Sequence, residues 1–244
     1  MLVKTYGSAV YGVNALTITI EVNISAGTKY YMVGLPDNAV KESLQRVASA
    51  INISGFRMPK QKIVVNLAPA DIKKEGSSYD LPIAIGILAA SGQIPSDELD
   101  NYFIMGELSL DWTIQPIKGA LPIAIQAQQD GFKGFILPKQ NVREAGIVND
   151  LIAYGVENLA QVIAFFNKSE TLEQVKINTK EEFLKNINNY EHDFADVKGQ
   201  ENIKRAFGNC SSRWSQCYFN RSARSWQNHV SQTPSNYLTP IKFK

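Results

Sequence analysis

The sequence predicts an α/β (α+β) domain built on a mixed sheet with helices against it. Three observations carry this: strand-like and helix-like segments alternate from residue 16 to residue 166, the later strand segments are short and apolar, and the chain is 44% apolar. LTITIEVNIS (16–25) and YYMVGL (30–35) read as strands joined by Ala26-Gly27-Thr28. Pro36-Asp37 starts a helix with Val40, Leu44, Val47 and Ile51 on one face, and Gly55 ends it. KIVVNLAP (62–69) is an almost wholly apolar strand, as expected where both faces are covered. DLPIAIGILAA (80–90) is apolar all round, which predicts a buried helix capped by Asp80. The order then repeats: strand 103–108, helix 119–130, strand 134–138, a short helix, strand 151–156 and helix 158–166.

Composition narrows the setting. The formal charge of +2 conceals a split, with 20 basic and 23 acidic residues in 1–206 and five Lys/Arg with no Asp or Glu in 207–244. The body therefore lacks the basic signature of a DNA binder. Both cysteines lie beyond residue 206, so the body is no disulfide scaffold. No apolar run is long enough for a membrane span, and MLVKTYGSAVYG lacks the features of a signal peptide. A cytoplasmic protein with no membrane partner is the expectation. The polar stretch 168–192 reads as a linker, which ends the first domain at 167.

Several phrases converge on one known module. YGSAVYGVNALTITIEV, KIVVNLAPADIKKEGSSYDLPIAI and GELSLDWTIQPIKGALPIAI, in this order, resemble the N-terminal domain of the magnesium-chelatase-like AAA+ ATPases. That family includes the competence protein ComM and YifB. The resemblance covers about residues 1–206 and implies the fold of ribosomal protein S5 domain 2, shared with the peptidase domain of Lon. It also implies an intact protein that binds ATP and magnesium, assembles as a homo-hexamer and acts on DNA in recombination or transformation. DFADVKGQENIKRA (193–206) resembles the entry to the AAA+ motor. By that resemblance alone, Val197, Gly199 and Gln200 would line the adenine side of the nucleotide pocket; otherwise the stretch is a turn and a polar helix start.

A strand and GxxxxGK[ST] should follow, because backbone N–H groups and the lysine of that loop hold phosphates. The motif is absent from the chain. Without it this chain is expected to bind no nucleotide cofactor, to have no catalytic residues and to be a monomer. The tail 207–244 has no apolar period and is expected to be disordered. It also reads as the motor in a shifted frame. Arg221 to His229 can be encoded AGG TCC GCC AGG AGC TGG CAA AAC CAT, and dropping the first base gives GPPGAGKT, a complete phosphate loop. Trp has a single codon, and Trp214 and Trp226 both fall where a glycine codon is needed. One extra base near Phe207 accounts for the whole tail. The competing reading is a standalone binding module whose basic tail is a nucleic-acid arm.

Other chemistry is weaker. Cys210 and Cys217 with His229 lack zinc spacing and a fourth ligand, and His192 has no partner in view. KKEGSSYD resembles the segment around Lon's nucleophilic serine, with Ser78 in that place. The matching base position holds Leu121, and Lys118, three residues earlier, is expected to point elsewhere. An unactivated serine is a poor nucleophile, so Ser77 and Ser78 read as turn and helix-start residues. Trp112 replaces the glycine usual in the family at a tight hairpin with positive φ, at a cost of about 1 kcal/mol or more. It is either a lesion or a tolerated surface residue.

Overall fold

The structure is a computed structural model that describes residues 1–177 and, beyond them, residues 199, 201, 202, 204 and 205. The chain divides into two compact units, Met1–Ile177 and Asn178–Lys244. In the second, Gly199 has φ 75°, and Glu201, Asn202, Lys204 and Arg205 are helical. Val197, Gln200, His192, both cysteines and the tail lie outside the described residues.

The first unit is an α/β domain on one eight-stranded mixed sheet. Its strands are β1 (Leu2–Tyr11), β2 (Asn14–Ser25), β3 (Tyr30–Val33), β4 (Lys62–Ala68), β5 (Tyr102–Ile104), β8 (Gly134–Pro138), β9 (Ile152–Val156) and β10 (Gln174–Val175). A separate hairpin pairs β6 (Glu107–Leu108) with β7 (Ile114–Gln115). The sheet order is β10-β9-β8-β5-β1-β2-β4-β3. β1–β2, β2–β4 and β9–β10 run antiparallel, and the other neighbours run parallel.

The helices are α1 (Asn38–Ile53), α2 (Asp80–Ala90), α3 (Ala120–Gln129), α4 (Val142–Ala145) and α5 (Leu159–Phe166). α1 and α3 fall within about two residues of expectation. In α1 the Asp37 carboxylate accepts from the Val40 N–H at 2.8 Å and caps the first turn. α2 is buried along its whole length, as its unbroken apolar sequence demands. It lies on the face of the sheet that carries Thr5, Ile20 and Val22: the Thr5 hydroxyl donates to the Pro82 carbonyl at 3.1 Å, and a Cβ on Gly86 would fall 2.7 Å from Val22. α3 lies on the opposite face, where the Thr17 hydroxyl donates to the Asp130 carboxylate and Tyr6 meets Phe132 with ring centroids 5.1 Å apart.

One strand was missed and three expectations are corrected. The central strand β1 is not apparent in the sequence, because its buried face carries Thr5, Gly7 and Ala9 beside Val3. Small residues are needed there: a Cβ on Gly7 would approach Met105 Sδ to 2.8 Å. The strand expected over 103–108 is two strands in two sheets. The chain leaves the main sheet where the Gly106 N–H donates to the Ser78 carbonyl at 2.9 Å and Leu81 N–H donates to the Gly106 carbonyl at 3.0 Å. The first unit runs to Ile177 rather than 167, because Gln174–Val175 pairs with β9. Asp80 is not the cap of α2; that position is Tyr79, with no side-chain cap bond. Asp80 points inward to a guanidinium instead.

Candidate functional site

The segment KKEGSSYD is tied down residue by residue. Lys74 is fully buried, and its ammonium donates to the carbonyls of Pro69 and, at 2.7 Å, Ile72. Burial lowers its pKa, partly offset by Asp71. Its backbone N–H donates to the Leu35 carbonyl at 3.1 Å, and its carbonyl accepts from Asp37 at 3.0 Å. The second carboxylate oxygen of Asp37 accepts from the Gly76 N–H at 3.1 Å. Gly76 has φ 84°, so the turn into α2 is held to the start of α1 by one side chain. Ser77 then donates its hydroxyl to the Glu107 carboxylate. Tyr79 is 2% exposed, and burial pushes its phenol pKa up.

Asp80 closes this arrangement. Its side chain is fully buried and accepts from Arg46 Nε at 2.6 Å, Arg46 Nη2 at 3.0 Å and the Leu108 N–H at 3.2 Å. Burial pushes its pKa up to about 6, against the lowering pull of the Arg46 guanidinium. One carboxylate thereby joins α1, α2 and β6.

A cleft of about 700 Å³ opens in front of these residues. It lies where β5 has ended and β1 continues, and it is bounded by Ser8–Tyr11 of β1, by Glu75–Tyr79 before α2, and by Met105, Glu107, Lys118 and Ile123. Its size suits a ligand site. Its polar lining includes Ser77, Ser78, Glu107 and Lys118. Lys118 lines the same cleft as Ser78, which corrects the expectation that it faces elsewhere. No hydrogen bond joins the two, and among the described residues none engages the Ser78 hydroxyl. Leu121, at the base position, donates its backbone N–H to the Glu144 carboxylate at 2.9 Å and has no group able to accept a proton. A serine without a base stays protonated and unreactive near neutral pH. A serine-directed fluorophosphonate is therefore expected to leave Ser78 unlabelled, as intact-mass spectrometry would show; stoichiometric labelling there would restore a peptidase reading.

Trp112 has φ 71°, the left-handed conformation expected of the glycine usual at this hairpin. Its N–H donates to the Ser109 carbonyl and its carbonyl accepts from Leu159, both at 3.1 Å. Among the described residues no group of His, Cys, Asp and Glu could hold a metal ion, and no helix is long and apolar enough to cross a membrane. The cleft-lining edge of β1 and the place of Lys118 were not foreseen. No motif marks them; the open edge of β1 follows from where β5 stops.

The family described as subunit ChlI of Mg-chelatase matches residues 20–141. YifB of Escherichia coli, itself uncharacterized, is 43% identical over 198 residues, which is 81% of this chain and 38% of YifB. The competence protein ComM of Haemophilus influenzae is 40% identical over 206 residues, 84% of this chain and 40% of ComM. Lon protease 2 of Bacillus subtilis is 28% identical over 191 residues, 70% of this chain and 32% of that protease. The chain thus spans about two-fifths of the length of the first two relatives.

Proposed function

The chain belongs to the magnesium-chelatase ChlI family, and from that premise we propose that it is the leading part of a magnesium-chelatase-like AAA+ ATPase of the YifB and ComM type. The intact protein would bind ATP and magnesium, assemble as a homo-hexameric ring and act on DNA in the cytoplasm. This chain by itself hydrolyses nothing. The observation that carries the reading is the extended match to relatives of which the chain covers only 38% and 40%. One of them is named a competence protein, and DNA as the substrate rests on the family resemblance.

The residues present do not fit a nucleotide. Phosphates need a run of backbone N–H groups and a lysine, and no GxxxxGK[ST] occurs in the sequence. Val197, Gly199 and Gln200 would supply only the adenine side, and the left-handed Gly199 is compatible with a turn there. The tail 207–244 is the motor read one base out of frame. Sequencing the coding DNA through codons 205–244 tests this: removing one base should restore an open frame that passes through GPPGAGKT and continues as a motor. A restored frame that stops within a few codons would contradict it.

A further inference from the structure

We propose that the cleft beside β1 takes an extended polypeptide segment as an added strand and holds it without cutting it. The proposal goes beyond the motor reading and stands on the strand geometry alone. β1 has a full antiparallel partner in β2, from Leu2↔Asn23 to Tyr11↔Asn14. On its other side it meets β5 only at Tyr6↔Phe103, because β5 ends at Ile104. From Ser8 to Tyr11 the second edge of β1 therefore has no neighbouring strand.

Backbone groups on that edge lack a strand partner: Ser8 and Ala9 are buried beneath the cleft wall, and the edge comes to the surface at Val10 and Tyr11. The Ser8 N–H points away from β2, and its acceptor is the Met105 thioether at 3.2 Å, a weak one. N–H and C=O directions repeat every second residue along a strand, so those of Val10 face the same way. No hydrogen bond outside the β1–β2 ladder engages the Val10 backbone. Such groups are met by water or by another extended backbone, and the row of donors and acceptors two residues apart matches the second.

The cleft supplies the remaining requirements. Val10 and Tyr11 are 41% and 50% exposed at its mouth, with Met105 and Ile123 among its lining, which gives apolar surface for alternate side chains. Ser78 lines it with a hydroxyl that is not hydrogen-bonded to Lys118 or to any other base among the described residues, so a bound segment is expected to stay intact.

The test uses the whole 244-residue chain and a permanently unfolded polypeptide, fluorescein-labelled, reduced and carboxymethylated α-lactalbumin, followed by anisotropy at about 0.3 M salt to suppress charge effects. Val10→Pro removes the outward N–H while leaving the β1–β2 ladder its bonds. Ser78→Trp fills the cleft without touching β1, so the test stands even if the proline variant fails to fold. The expected result is saturable binding by the unaltered chain, at least tenfold weaker binding by each folded variant, and a label that remains full length on a gel. Absence of saturable binding, equal binding by the Ser78→Trp variant, or cleavage of the label would overturn the proposal.

Discussion

Gly34→Ala should destabilise the domain by about 3 kcal/mol or more, a large share of the roughly 5–15 kcal/mol that holds a domain folded. Gly34 follows β3 with φ 96°, a conformation side chains strain to adopt. A Cβ placed there would fall 2.1 Å from the Leu67 carbonyl oxygen and 2.8 Å from its carbon. Both are backbone atoms of the buried Leu67 in β4, held in the ladder between β2 and β3, so no rotamer change relieves the contact. Gly12→Ala separates strain from collision. Gly12 has φ 60°, but its added Cβ meets nothing within 4 Å, so the expected loss is about 1 kcal/mol. Urea unfolding followed by circular dichroism measures both; a Gly34→Ala loss no larger than that of Gly12→Ala would contradict the close approach of the two strands.

Arg46→Ala should cost about 3–5 kcal/mol near neutral pH, because it leaves the fully buried Asp80 carboxylate without its guanidinium. The effect carries a pH signature. Asp80 ionises near 3.8 in the unfolded chain and at about 6 in the fold. A folded value above the unfolded one favours the fold at pH below 3.8, and that contribution is lost as pH rises through 6. Removing Arg46 raises the folded value further, so the loss continues to higher pH. The stability gap between the unaltered chain and Arg46→Ala should therefore widen between about pH 5 and pH 8. A constant gap across that range would place the cost in lost packing of Arg46 rather than in the stranded charge.

Where a residue's role depended on its own pattern, the sequence disclosed it. The apolar stripe of Val40, Val47 and Ile51 and the cap at Asp37 define α1, and the solid apolar run defines α2. The left-handed turn at Trp112 follows from the aspartate before it and the glycine it replaces. Where a role depended on contacts between distant segments, it stayed hidden. β1 looks too small and polar for a central strand until α2 is seen to bond Thr5 and Met105 is seen to crowd Gly7. Asp80 looks like a helix cap until Arg46, from another helix, reaches it. The cleft was legible only at Ser78. Its other wall exists because β5 is short, and strand length is set by the bonds Gly106 makes with Ser78 and Leu81, not by any local signal.

As proposed, this chain leads into a nucleotide motor but lacks the loop that grips a nucleotide's phosphates. Incubating the purified 244-residue chain with ATP and magnesium and following phosphate release tests it most directly. The expected result is no release above that of buffer. Turnover at roughly 1 s⁻¹ or faster, in the range of working enzymes, from protein free of contaminating ATPases would contradict the account.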